Sequence, residues 1–318
     1  MKTIKLIFCL VVSLSFVRSL PAADIPLRIL RGHKKWTIGV QWHKDGKRLA
    51  VASGDRTISI WNADTGVRLH TLTGHTHYVY CVAWGPKGEK LASASYDKTV
   101  KIWDVKSAKL LRTLKGHAHA VMSVSWHPDG SKLVSGSQDR TVRVWDSKTG
   151  KLVHTFHGHR DLVISVAWSP DGRSIASGGF DNFVRTWRPS DGVPRALFSG
   201  HTGPIEFVAW HPKKRMLATS GRDKVVIVWN LGGGKRLQFK TKHTERVECV
   251  AWRPDGSQLA TSSKDKTIKI WQLPTGKLVR TLAAHPKSVR GISWSPNGTK
   301  LASGSDDNTI RIWKVDAK

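Results

Sequence analysis

Cysteine is scarce in this chain, with three in 318 residues, at Cys9, Cys81 and Cys249. So few thiols cannot build the framework that staples small secreted domains, so the fold must rest on a hydrophobic core. Acidic residues are also few: 23 Asp and Glu stand against 52 Lys and Arg, a formal net charge of +29. Long apolar runs are missing except from Leu6 to Val17, which is shorter than the ~20 residues a membrane-spanning helix needs. No low-complexity tract interrupts the chain, which sets it apart from disordered and fibrous sequences. No Cys/His spacing suits a metal centre, and no isolated nucleophile stands beside a base. Neither a cofactor nor a small-molecule substrate is implied.

Tyrosine occurs only three times, yet there are 15 tryptophans, which suggests a repeated structural task for Trp. The first residues stand apart from the rest. Lys2 and Lys5 precede the apolar run, and the small residues Ser19, Ala22 and Ala23 follow it, the layout of a secretory signal peptide. Residues 1–23 are therefore read as a removable leader and 24–318 as one domain, secreted or periplasmic. Cys9 lies mid-run behind Phe8 and does not read as a lipid attachment site. Cys81 and Cys249 remain, expected as two buried free thiols held apart in equivalent places of different repeats.

The rest of the chain is periodic. Histidines recur at His33, His75, His117, His159, His201, His243 and His285, a spacing of 42 residues. One Trp series runs Trp42, Trp84, Trp126, Trp168, Trp210, Trp252 and Trp294. A second runs Trp61, Trp103, Trp145, Trp187, Trp229, Trp271 and Trp313, each with an Asp six residues before it, from Asp55 to Asp307. Within a unit, Val79–Trp84, Lys90–Ser95, Thr99–Val105 and Leu110–Leu114 read as strands bounded by Pro, Gly and Asp turns. Four short strands per 42 residues match one blade of a propeller. The expected fold is all-β, a seven-bladed β-propeller of four-stranded antiparallel blades.

The pattern Gly-His, Trp, Ser, Asp and Trp-Asp, complete at Trp103-Asp104 and Trp145-Asp146, resembles the WD-repeat (tryptophan–aspartate repeat) propeller family. The resemblance covers about residues 27 to 318. It implies that the strand before each Gly-His is the outer strand of the preceding blade, so blade seven must borrow its own from the N-terminus. Leu27-Arg28-Ile29-Leu30 before Gly32-His33 matches Leu111-Arg112-Thr113-Leu114 before Gly116-His117, and few residues follow Trp313. The N-terminal strand is thus expected to close the ring, leaving no open edge and no room for a second domain. The family also implies a hydrogen-bond chain of His, Ser or Thr, Asp and Trp inside each blade, for example His75, Ser93, Asp97 and Trp103. Blade one has Val51 in the Ser place, so its chain is expected to be broken. Seven buried His-Asp-Ser sets are architecture rather than catalytic triads, since a triad needs one exposed nucleophile in a cleft.

Function should lie where the copies differ. In the family, positions three and five after the His and one before the Asp commonly line one face, the top. Here they hold Trp36, Tyr78 and Tyr80, then Tyr96, Met122, Leu162, Ile164 and Phe180, with Arg222, Arg246, Lys264 and Arg290 in the later blades. All three tyrosines fall in blade two. Blades one to four thus offer an aromatic and apolar surface and blades five to seven a charged one. Tyr, Trp and Arg are common interface anchors, so a protein or peptide partner is expected here. A monomer is favoured.

The basic excess supports a rival reading, binding of a polyanion such as an acidic glycan, envelope polymer, lipid headgroup or nucleic acid. Arg56, Lys98, Arg140, Lys224 and Lys266 follow the structural Asp and should ring the top. Lys101, Arg143, Arg185, Lys269 and Arg311 are expected along the blade sides. The top-face carboxylates Asp161, Glu206, Glu245, Glu248 and Asp306 show no paired arrangement in the sequence. His77 and His119 read as exposed loop histidines rather than ligands. A non-catalytic binding scaffold is the expected role.

Overall fold

The computed structural model describes residues 25–233 and 237–315, and within them every regular element is a β-strand. The expected leader, residues 1–23, lies outside the described residues. Seven four-stranded antiparallel sheets follow one another as blades. The unit predicted from turn signals is observed as Val79–Trp84, Lys90–Ser95, Val100–Asp104 and Lys109–Leu114. Its ends hold because Gly, Pro and Asp fix the turns between short β-branched runs.

The ring is closed. Arg28–Leu30 pairs antiparallel with Ile310–Lys314, Leu30 opposite Ile310 and Arg28 opposite Ile312. Leu30 is buried among Val40, Trp42, Leu49, Ile310 and Ile312, so one side chain ties the closing strand to blades seven and one. Burial of such a leucine is worth roughly 1.5–3 kcal/mol. The inner strands of blades seven and one also touch, as at the other junctions. Close approach there depends on Gly291: a Cβ on it would fall 1.9 Å from the Ile38 carbonyl oxygen. Gly291→Ala should therefore lower stability by about 1–3 kcal/mol, read as a fall in the urea midpoint. Cys249→Ala, at the same place in blade six, should cost less. Equal midpoints would mean the seam yields freely.

The two Trp series do different work. The first joins blades: the indole N–H groups of Trp84, Trp126, Trp210, Trp252 and Trp294 donate to the preceding blade's Gln41, Ala83, Ala167, Ala209 and Ala251 carbonyls at 2.9–3.2 Å. The second is internal to the blade. Trp103 Nε1 donates to Ser93 Oγ at 2.8 Å, Ser93 Oγ meets His75 Nε2 at 2.7 Å, and His75 Nδ1 meets Asp97 at 2.6 Å. Asp97 also accepts from Thr99 and from the Thr76 backbone, so its buried charge is fully bonded. Blades three to seven repeat the chain through Ser135, Ser177, Thr219, Thr261 and Ser303.

Blade one overturns an expectation. Its chain is not broken: Ser59 Oγ accepts from Trp61 Nε1 and meets His33 Nε2, both at 2.5 Å. Ser59 lies directly across the strand pair from Val51, so the hydroxyl has crossed to the neighbouring strand while staying on the same sheet face. The second basic series is also corrected. Its residues sit opposite the network Ser or Thr, as Lys101 does opposite Ser93, and turn inward. Lys101, Arg185 and Lys269 are buried; Lys101 donates to Thr113 Oγ1 at 2.8 Å and Arg185 to Asp181 at 2.7 Å.

Candidate functional site

In all seven blades the inner strand carries a register irregularity just after its first residue, between Val79 and Cys81 in blade two and between Val247 and Cys249 in blade six. A bulge frees one residue from strand pairing and re-aims its side chain. The freed residue is the fifth after the repeat histidine. Ile38, Tyr80, Met122, Ile164, Glu206, Glu248 and Arg290 therefore converge on the mouth of the central channel, a cavity of about 680 Å³. Leu162, Phe180, Arg222 and Arg246 complete its upper wall. One half of the wall is apolar and the other ionic.

Beside the apolar half the expected aromatic residues form one cluster. Trp36 stacks on Tyr80 with centroids 5.7 Å apart and meets Tyr78 edge-on at 5.4 Å. Tyr96 lies 6.2 Å from Tyr78 and 6.3 Å from Tyr80. Tyr96 is 42% exposed, whereas Trp36, Tyr78 and Tyr80 shelter one another and are half-buried. Two further residues contribute, and one of them corrects an expectation: His77, read from sequence as an exposed loop histidine, is half-buried. His77 sits 4.2 Å from the Tyr78 ring and 4.4 Å from that of Tyr96, so it belongs to the cluster. Gly54 leaves the space the indole of Trp36 fills, since a Cβ there would come within 2.5 Å of it. His119 is exposed, and among the described residues no group of three or more His, Cys, Asp or Glu could hold a metal ion.

The ionic half is not the open charged surface expected from sequence. Arg222 donates to Glu206 at 2.6 Å, Arg246 to Glu248 at 2.7 Å, and Arg290 to Asp306 at 2.9 Å and Glu248 at 3.3 Å. Three of these pairs form within a blade, and Arg290 with Glu248 joins blade seven to blade six. Arg222 also lies 4.4 Å from the centroid of Phe180, joining the two halves of the wall. Glu206 and Glu248 both line the funnel, each bonded to an arginine and not to the other. Burial pushes the Glu248 carboxyl above the ordinary glutamate range and the charge of Glu206 adds to this, while Arg290 and Arg246 pull it down. Each carboxylate is held by an arginine, an arrangement that fixes the wall. Lys264 stays outside the funnel, exposed and 3.8 Å from Glu245.

Below the mouth both expected thiols are free and line the channel. Cys249 is buried, but Cys81 is only half-buried, because the channel leaves its inner side open. The Cys249 thiol is pushed up to about 12 by burial, so it stays protonated and unreactive. Outside the mouth, Arg56, Lys98, Arg140, Lys224 and Lys266 are exposed on the turns between second and third strands.

Residues 123–272 match the family model of the IFT122 first beta-propeller. Residues 24–62, 66–104 and 276–314 match that of the WD domain, G-beta repeat. Together the matches run through nearly the whole ring. No curated protein matches the chain.

Proposed function

The chain belongs to the WD-repeat β-propeller family, and we propose that it is an extracytoplasmic scaffold that captures a protein or peptide at the mouth of its channel. Propellers of this family are generally non-catalytic platforms for protein–protein interaction, and no enzyme family is indicated. The observation that carries the reading is the aromatic cluster. Trp36, Tyr78, Tyr80 and Tyr96 come from two adjacent blades and meet around one open edge, with Tyr96 exposed. Large rigid rings lose little entropy on binding and dominate interface energies. The extracytoplasmic part rests on the leader-like run from Lys2 to Ala23, and fractionation of the full-length chain tests it.

Replacing Tyr78, Tyr80 and Tyr96 together by alanine should weaken capture of partners from the native compartment by at least about 30-fold, the loss of one hot spot. Melting temperature monitors the fold, since none of the three belongs to a blade network. Unchanged capture at unchanged stability would sink the assignment.

A second reading, attraction of a polyanion, is favoured by the exposed cations outside the mouth. The top-face arginines Arg222, Arg246 and Arg290 add little to it, because their charges are already matched by carboxylates.

A further inference from the structure

Charges on the channel-mouth face fall into two groups. The structural aspartates are bonded to their histidines, as Asp97 is to His75. Glu206, Glu248 and Asp306 are held by arginines, and Glu245 faces Lys264. Asp161 accepts from the backbone N–H of Leu162. Four cations behave differently. Arg56, Lys98, Arg140 and Lys266 are exposed, and among the described residues none of them pairs with a carboxylate.

The backbone gives these cations a second distinction. They sit at φ of 68 to 75°, the left-handed region, which costs a long side chain about 1 kcal/mol. Blades four and seven fill the same place with Asn182 and Asn308, residues that enter this region more readily. The turn can therefore be made without a cation.

Their placement follows the aromatic cluster. Gly54 under Trp36, then Asp55 and Arg56, form one turn; Tyr96, Asp97 and Lys98 form the next; Gln138, Asp139 and Arg140 the third. Gly54 lies against Trp36, Tyr96 lies in the aromatic cluster and Gln138 lines the mouth, and in each turn the cation lies two residues on, across the structural Asp. Three adjacent blades thus border the aromatic cluster with unpaired positive charge. Lys35 adds to it, its ammonium 5.2 Å from the Tyr78 centroid.

We infer that the partner segment is an acidic peptide: an aromatic or aliphatic side chain packs on Trp36 and Tyr80, and flanking carboxylates meet Arg56, Lys98 and Arg140. This rests on the peptide-capture reading and names the partner's chemistry. The funnel itself is charge-matched, so the anchor entering it has to be apolar, while carboxylates have unpaired cations only outside. A basic segment would meet like charge there and be rejected.

The test uses the full chain and three probes: a short labelled peptide with a central Trp flanked by Glu, the same peptide with Gln for Glu, and inorganic polyphosphate. The Glu peptide should bind at least roughly tenfold more tightly than the Gln peptide and weaken between about 50 and 200 mM salt. Lys98→Glu with Arg140→Glu should weaken it by roughly tenfold or more, and Tyr80→Ala with Tyr96→Ala similarly. Both variants should melt like the parent; Lys98→Gln with Arg140→Gln, which removes charge without reversing it, should give an intermediate loss. Equal binding of the two peptides would overturn the acidic assignment and leave peptide docking standing. Polyphosphate binding as tightly as the Glu peptide, untouched by the tyrosine substitutions, would overturn the proposal in favour of a polyanion. No binding of the Glu peptide would overturn it too, and capture by the triple tyrosine variant then decides separately whether the face docks proteins.

Discussion

Ser59→Ala is expected to lower stability by about 2–4 kcal/mol, because it orphans two buried polar groups at once. His33 Nε2 and Trp61 Nε1 both meet the Ser59 hydroxyl, and Ser59 is itself fully buried. Val51 is its direct cross-strand neighbour. Adding Val51→Ser should therefore return a hydroxyl to the place it occupies in the other blades and recover part of the loss. Recovery stays partial, since Val51 packs in the seam cluster with Leu30, Val40 and Trp61, and that apolar burial is forfeited. Chemical denaturation of the two single variants and the double variant forms a cycle. A double variant as unstable as the sum of the two singles would show that the hydroxyl's position, not only its presence, is fixed.

That blade marks how far the sequence can be read. Period, strand limits and closure were legible because each rests on local chemistry repeated seven times: a Gly or Asp turn, an alternating run, a Trp at fixed register. The Val51 and Ser59 exchange was not, because it is visible only when two strands are laid side by side. The same holds for Lys101, Arg185 and Lys269. Their spacing suggested a surface stripe, yet pairing opposite the network Ser or Thr turns them inward.

At the candidate site the divergent positions were legible as positions. Trp36, Tyr78, Tyr80 and Tyr96 do meet, since three of the four belong to one blade and Trp36 comes from its neighbour. The arginines were harder. Arg290 reaches Glu248 across a blade junction, so its charge is spent on an inter-blade contact. A sequence can show that a cation stands on a face, but only packing decides whether a carboxylate has reached it first. The unpaired cations lie on the outer turns, at left-handed backbone positions, and none of them pairs with a funnel carboxylate.

Acid should loosen the whole ring, and it should do so in two stages. Each network has one consistent direction: the indole N–H donates to the hydroxyl, the hydroxyl to His Nε2, and His Nδ1–H to the aspartate. Protonation at Nε2 would set a donor against the hydroxyl's own hydrogen. Burial accordingly pushes His75, His117, His159, His243 and His285 below the ordinary histidine value of 6.5. A lowered value in the fold means that the unfolded chain takes up the proton first. The stability held by these histidines is complete above pH 6.5 and drains as the pH falls from there toward their folded values, each contributing up to about 1.4 kcal/mol per pH unit. The aspartates follow below 3.8: burial alone would raise them, but bonds from histidine, joined by Thr at Asp97, Asp139 and Asp265 and by the Arg160 backbone at Asp181, win, leaving Asp181 at about 2 and the other three lower. Glu248, raised by burial, acts in the opposite sense but is a single group against five histidines. Urea midpoints at pH 7.5, 6, 5 and 4 should fall steadily, with the first loss already present at pH 6. Stability that rises as the pH falls from 7.5 to 6 would mean that the histidines are protonated in the fold, and that the chains run through His–Asp ion pairs instead of neutral rings.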